Sequence, residues 1–160
     1  METFLAIASK RDERRYQSDR PVAEDDVQRI LDAGRLSGSS QNKQLWSFVV
    51  VSDTAALADA VWAPENVQTA GLVVAIVGDA GMFDVGRCAQ NMMLAAWDRG
   101  VVSCPNGVKD PARAAELAGG EVKMILSFGY PVRELDVEAR SAEEWSAAAK
   151  RKPLDDLVIR

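Results

Sequence analysis

An uninterrupted apolar segment at Leu72–Val77 (LVVAIV) constrains the fold more than any other feature of the sequence. Neither face of this segment carries a polar residue, which is typical of a strand in a sheet that is covered on both sides. Two further strands are predicted at Trp46–Val51, as a buried strand, and at Lys123–Phe128. Because helical patterns separate the three strands, we expect a layered α/β domain.

Helical spacing and capping residues predict the helices that cover this sheet. Asp53 is expected to cap a short helix, Asp84 a long one that Gly100 ends, and Ser141 with Glu144 a last one through a capping box. The predicted helices are Thr3–Lys10, Ala23–Leu36, Thr54–Val61, a long helix to Arg99, a short one opened by Asp110-Pro111, and a last one to Lys150. With no repeat or long linker, the 160 residues predict one domain over positions 1–160.

Composition excludes several classes of function. The chain contains no histidine, so Ser-His and Cys-His catalysis and the common histidine metal sites are excluded, and no metal site is expected. A net charge of −5 argues against affinity for nucleic acid or for an anionic membrane. No segment has the length or the layout of a membrane span or a signal peptide, so we expect a cytoplasmic protein. Cys88 and Cys104 are expected to be buried free thiols.

Two basic segments lie near opposite ends of the chain. Lys10–Arg15 (KRDERR) holds four cations within six residues, and Lys150–Lys152 follows the last predicted helix. Each has a plain alternative, since charge runs are usually solvated and cations complement a helix C-terminus. Guanidinium groups also bind phosphate oxygens in a bidentate way, so either segment suits a phosphate site.

A polar segment, Ser37–Gln44 (SGSSQNKQ), lies between a predicted helix and a predicted strand. Its hydroxyl and amide groups are typical of turn chemistry, which is the simpler interpretation. The same donors and acceptors would also suit the edge of a planar heterocycle. Trp46, which follows, is expected to be a core residue.

The order of these segments resembles the nitroreductase-like family of FMN-dependent oxidoreductases. Lys10–Arg14 is similar to the family's Arg-Arg-Ser-x-Arg run, and Gly38–Trp46 to its Pro-Ser-x-x-Asn-x-Gln-Pro-Trp motif. Gln90–Ala96 and Gly129–Pro131 resemble its central helix and the end of a core strand, and Arg151–Leu154 its terminal basic signature. The resemblance implies an α+β fold in α/β/α layers, with a mostly antiparallel or mixed sheet between helices, and a homodimer with flavin at the interface.

The resemblance also implies which residues would bind FMN. Lys10, Arg11 and Arg14 would hold the phosphate and ribityl end or reach the pyrimidine oxygen, and Lys150 or Arg151 would close on the phosphate. Ser39, Ser40 and Asn42 of the other protomer would approach the ring system. Asn66 would meet the pyrimidine edge, and the backbone N–H of Gly107 would face flavin N5. The implied cofactor-binding residues are Lys10, Arg11, Asp12, Arg14, Ser39, Ser40, Asn42, Asn66, Gly107, Lys150 and Arg151.

Three departures from the family pattern affect the expected affinity for flavin. Asp12 replaces a serine, so an acceptor-only carboxylate stands near the phosphate and should repel it unless Arg11 or Arg15 neutralises it. Gly38 and Leu45 replace two prolines, which gives the loop more freedom to lose on ordering. We therefore predict weaker FMN binding than is typical of the family.

The activity implied is hydride transfer from NADH or NADPH, through the flavin, to a small acceptor such as a nitroaromatic or a quinone. The cofactor supplies this chemistry, so no catalytic side chain is expected. The alternatives are reductive dehalogenation or flavin fragmentation on the same fold, a flavin-binding or flavin-storing protein without turnover, and an α/β dimer without ligand.

Overall fold

The computed structural model describes residues 1–159, which form an antiparallel four-stranded sheet between layers of helices. The sheet has the order β1-β2-β4-β3, and each neighbouring pair is antiparallel. This confirms the expected layered fold and the mostly antiparallel sheet. The strands are β1 (Trp46–Val50), β2 (Leu72–Gly78), β3 (Val102–Asn106) and β4 (Val122–Gly129).

Seven α-helices within residues 1–159 surround this sheet. They are α1 (Thr3–Ser9), α2 (Glu24–Arg35), α3 (Thr54–Ala58), α4 (Pro64–Gln68), α5 (Met82–Asp98), α6 (Pro111–Ala118) and α7 (Ala142–Ala148). Helices α2 and α5 cover one face, where Ile30 and Met92 pack with Ile76 and Phe128. The opposite face is covered by α3, α4 and α6.

The apolar segment of β2 is buried on both faces, as its sequence predicts. Val74 and Ile76 belong to the core under α2 and α5, whereas Val73 and Ala75 belong to the core on the opposite face. Fully burying an aliphatic side chain contributes about 1.5–3 kcal/mol, so this strand is a main source of stability.

The edges of the sheet differ from the sequence prediction. The strand at Trp46–Val50 is not buried but is an edge strand, in which Trp46 packs partly against the core and Val50 is exposed. The opposite edge, β3, was not predicted as a strand, and it contains Pro105. An edge strand tolerates proline, since one of its sides needs no ladder hydrogen bond. Helix α4 was also not predicted, although Pro64 stands in its first turn.

Capping side chains fix the ends of several helices. Asp53 accepts a hydrogen bond from the Ala56 N–H, and Ser141 and Glu144 form the predicted capping box. The prediction for Asp84 is wrong, because α5 begins at Met82 with Gly81 as its N-cap. Asp84 instead accepts a hydrogen bond from the backbone N–H of Ser40, at 3.0 Å, and so holds the polar loop.

Two further expectations concern the N-terminal helix and the thiols. In α1, Ala6 and Ser9 are buried while Phe4 and Ile7 are exposed, so the apolar side of the helix is not covered within residues 1–159. Both cysteines are buried and free, as expected. Within the same residues, the helices are too short or too polar to cross a bilayer.

Candidate functional site

A cavity of about 520 Å³ lies between the end of α1 and helix α7. Lys10, Arg11 and Asp12 line one side of it, and Arg151 lines the other. Two distant basic segments of the sequence therefore meet at one cavity. Such a concentration of cations suits a multiply charged anion such as a phosphate group.

The carboxylate of Asp12 is paired inside this cavity. Lys10 Nζ lies 2.6 Å from Asp12 Oδ1, and the Lys10 side chain is only 7% exposed. Lys10 therefore neutralises Asp12, a role that the sequence analysis assigned to Arg11 or Arg15. Arg11 and Arg151 remain available to an anion, since neither forms an ion pair within residues 1–159.

An aromatic side chain orders two of the guanidinium groups that line the cavity. The guanidinium of Arg140 lies 4.9 Å from the Trp145 ring centroid, and that of Arg11 lies 6.0 Å from it. The indole N–H of Trp145 donates to the Val137 carbonyl at 2.9 Å, which fixes the ring. Arg140 and Trp145 also line the cavity, and neither was predicted as a site residue. The one feature of the sequence that could have indicated them is the position of the basic Arg140 directly before Ser141, the first residue of the capping box.

The end of α7 directs Arg151 into the cavity. Lys150 has a φ of 51°, a left-handed conformation that a lysine adopts only at some cost in strain. The chain therefore turns directly after the helix, and Arg151, not Lys150, lines the cavity. Of Lys150 and Arg151, the two residues predicted to close on a phosphate, Arg151 is therefore the one that lines the cavity.

Arg14 does not line this cavity. The chain at Asp12 and Glu13 runs beside β3, bridging to Ser103, and carries Arg14 along the strand to Cys104. Burial raises the pKa of the Cys104 thiol, while the neighbouring Arg14 opposes that shift. Cys104 is thus a neutral thiol at pH 7. Arg14, which lies beside it, belongs to a second group of candidate residues near the end of β3.

This second group surrounds the end of β3. Asn66 of α4 is buried, and its Nδ2 donates to Asn106 Oδ1 at 3.1 Å. Gly107 follows Asn106 and is exposed; its carbonyl accepts from the Trp62 N–H at 3.1 Å, while its own N–H has no acceptor within residues 1–159. The Trp62 side chain is 71% exposed and packs against Gly107, where an added Cβ would lie 3.0 Å from Cδ1.

The polar loop forms a third, separate group. Ser39 Oγ accepts from the Gln44 N–H at 2.9 Å, while Ser40 and Asn42 are exposed and line neither the cavity nor the Gly107 region of the same chain. Gln41, Asn42 and Gln44 all have a φ near +50°. Three non-glycine residues in this conformation indicate a loop held in a strained shape, which is common at binding sites.

Comparison with known proteins identifies the family of this chain. The chain matches the model of the Nitroreductase family over residues 7–72 and 75–130, and it belongs to that family. A relative in Archaeoglobus fulgidus, provisionally named NADH dehydrogenase/NAD(P)H nitroreductase, is 29% identical over 156 residues, which cover 85% of this chain and 90% of the relative.

Solved structures show the same fold. A provisionally named nitroreductase from Desulfovibrio desulfuricans, solved in complex with FMN, has a TM-score of 0.83 and 22% identity over 100% of this chain and 97% of its own. The NADPH:FMN oxidoreductase of Vibrio harveyi, solved with NAD+, has a TM-score of 0.78 and 22% identity over 97% of this chain and 75% of its own.

Proposed function

We propose that this protein is an FMN-dependent oxidoreductase that uses NADH or NADPH to reduce a small acceptor such as a nitroaromatic or a quinone. The observation that carries the proposal is the cavity where Arg11 and Arg151 converge without carboxylate partners among residues 1–159. Membership of the Nitroreductase family and the two related structures with FMN and NAD+ support it.

The residues of the cavity fit the phosphate of FMN. Arg11, Arg140 and Arg151 provide three positive charges in addition to the Lys10–Asp12 pair, and a phosphate monoester carries about two negative charges near pH 7. Arg11 and Arg151 would bind the phosphate oxygens. Lys10 would hold Asp12 away from the phosphate, so the predicted weak binding rests partly on the loop.

The region around Gly107 fits the flavin ring. Gly107 is exposed, and its N–H, which has no acceptor among residues 1–159, is the group that we assign to flavin N5. Asn66 would then meet the pyrimidine edge, and Arg14 would lie near a pyrimidine oxygen. The chemistry supplied by bound FMN is the transfer of a hydride from a nicotinamide to the acceptor. A fixed N–H aimed at developing negative charge stabilises that charge, so the chain needs no acidic side chain.

A second copy of the chain would complete the site. Ser39, Ser40 and Asn42 do not reach either group within one chain, yet their loop is strained and tied to α5 through Asp84. We propose a homodimer in which this loop approaches the flavin bound by the other protomer.

The visible spectrum of the freshly purified protein tests the proposal. We expect flavin absorption that bleaches on addition of NADH or NADPH under argon and returns when a quinone is added. A colourless protein that gains no absorption with added FMN would contradict flavin binding. Bound flavin that neither nicotinamide reduces would leave a flavin-storing protein.

The expected weakness of FMN binding has its own measurement. Because the loop lacks both family prolines, we expect the flavin to be lost progressively on dialysis. Full occupancy after exhaustive dialysis would show that this prediction is wrong.

A further inference from the structure

At the end of β3, the buried side-chain amides of Asn66 and Asn106 are joined by a hydrogen bond. Which atom donates and which accepts is determined by the other partners of Asn106. Asn106 Nδ2 donates to the Cys104 carbonyl and to Ser127 Oγ, each at 3.0 Å. A backbone carbonyl can only accept a hydrogen bond, so the Nδ2 group of Asn106 must face it. Its Oδ1 atom therefore faces Asn66 and can only accept.

The orientation of the Asn106 amide in turn fixes the orientation of the Asn66 amide. Because Asn106 presents an acceptor, Asn66 must donate through Nδ2, as it does at 3.1 Å. The Oδ1 atom of Asn66 accepts no hydrogen bond within residues 1–159 and is not among the fully buried unpaired atoms there. Asn66 therefore offers an acceptor, not a donor, on its open side.

Further contacts hold Asn106 in place. Ser127 Oγ lies 2.8 Å from the hydroxyl of the buried Tyr16. Strands β3 and β4 are both buried at this point, and Asn106 is only 4% exposed. Buried amides that satisfy all their hydrogen bonds are rigid, since any rotation would leave a polar group unpaired.

We infer that Asn106 is a positioning residue that fixes the polarity of Asn66, so that Asn66 Oδ1 accepts from the N–H group of the flavin pyrimidine ring. The inference rests on the proposed binding of FMN and explains how an acceptor comes to face that ring edge. A ligand edge with an N–H between two carbonyls matches an acceptor at Asn66 better than a donor. Asn106 acts on the ligand through Asn66.

A double-mutant cycle on FMN affinity tests the inference. The apoproteins of wild type, Asn66→Ala, Asn106→Ala and the double variant are titrated with FMN and followed by quenching of flavin fluorescence. We expect Asn106→Ala to raise the Kd about five- to tenfold in the wild-type background. In the Asn66→Ala background we expect no further change, because Asn106 has no other route to the ligand.

Ser103→Ala is the matched control. Ser103 is buried on the same strand, and its Oγ is without a hydrogen-bond partner in residues 1–159, so its loss should leave the Kd unchanged. If Asn106→Ala does not fold, Asn106→Ser replaces it in the cycle, since serine retains a donor but is too short to reach Asn66.

Equal weakening by the Asn106 variant in both backgrounds would indicate a merely structural role and overturn the inference, as would no weakening in either. A wild-type chain that does not bind FMN would overturn the proposed function, and the inference with it. A wild-type chain that binds FMN but shows no coupling between the two asparagines would overturn only the inference.

Discussion

At the scale of single residues, the arrangement around Trp145 explains how the cavity keeps its positive charge. Arg11 and Arg140 lie against the indole ring, and neither is paired with a carboxylate within residues 1–159. Cation–π contacts hold a guanidinium without neutralising its charge. Both groups therefore remain available to an anion.

Arg140 provides the first prediction, because it was not recognised in the sequence. Arg140→Ala should weaken FMN binding about tenfold, which corresponds to about 1.4 kcal/mol, a normal value for a hydrogen bond to a charged group. Riboflavin, which lacks the phosphate, should bind the variant and the wild type equally. Fluorescence titration with both flavins measures the two effects.

Arg113→Ala is the control for this experiment. Arg113 lies on α6, which covers the other face of the sheet, and its partner is Glu116. It should change neither affinity. If Arg140→Ala weakens riboflavin and FMN by the same factor, Arg140 does not bind the phosphate.

The buried thiol of Cys88 predicts a loss of stability in alkaline solution. Burial raises its pKa to about 11 from an ordinary value of 9.0. Between these two values the folded chain keeps the proton that the unfolded chain loses, so stability falls as the pH rises. Burial also raises the pKa of Tyr16 and of Cys104, and both act in the same direction.

Cys88→Ala should therefore reduce, but not remove, the fall in stability between pH 9 and pH 11. The expected reduction is on the order of 2 kcal/mol at pH 11. Urea unfolding at a series of pH values measures it, and the small cavity that the substitution leaves should lower stability equally at every pH. Parallel profiles for variant and wild type would refute the assignment.

At the scale of secondary structure, helix α7 carries the cavity wall and leads into Arg151. It has seven residues, too few for a stable isolated helix, so its capping box matters more than usual. Ser141→Ala should lower the free energy of unfolding by about 1 kcal/mol and weaken FMN binding, because Trp145 and Arg151 depend on this helix.

Ser146→Ala is the matched control for the cap. Ser146 is an exposed interior residue of α7, and alanine is the better helix former, so stability should be unchanged or slightly higher. Thermal unfolding of both variants measures the effect on stability, and FMN titration measures the effect on binding. Equal stability of the two variants would mean that the cap contributes nothing.

Elements with a strong local signal were predictable from the sequence, and those set by their neighbours were not. The apolar run of β2 and the stripe of α2 at Ile30 and Gly34 determine their own burial. By contrast, β3 forms because β4 provides a partner, although Pro105 argues against a strand. The position of β1 was predicted to within one residue, but its place at the edge depends on strand order, which local patterns do not contain.

The candidate site shows the same division. Lys10, Arg11 and Arg151 follow from the resemblance to known motifs, and their meeting at one cavity fits it. Arg140, Trp145 and Asn106 belong to no such motif, because their roles arise from packing between elements distant in sequence. The pairing of Lys10 with Asp12 depends on side-chain direction, which charge composition does not specify.

At the scale of the whole molecule, exposed apolar residues support the proposed homodimer. Phe4 and Ile7 of α1 and Met82 and Phe83 of α5 are more than half exposed. Large exposed apolar groups on two helices are typical of a surface that is covered by another protein. A second copy of the chain is the occupant that we propose, because its polar loop would then reach the flavin.

Phe83→Glu should shift the protein from dimer to monomer. A carboxylate introduced into an apolar interface must be desolvated, which costs several kcal/mol, and the neighbouring Arg87 is already paired with Asp84. Sedimentation velocity should give about twice 17.4 kDa for the wild type and for the control Phe83→Leu, and a smaller mass for Phe83→Glu. A wild-type monomer at micromolar concentration would contradict the proposal.

The order of strands in the sheet has a consequence for synthesis on the ribosome. The apolar strand β2 pairs with β4, which begins at Val122, more than forty residues after Gly78. At about 5–20 residues per second, the nascent chain presents an open apolar strand for roughly 2–9 seconds before its neighbour is made. That interval is when a holdase chaperone would protect this protein, and when rapid overexpression would send it to inclusion bodies.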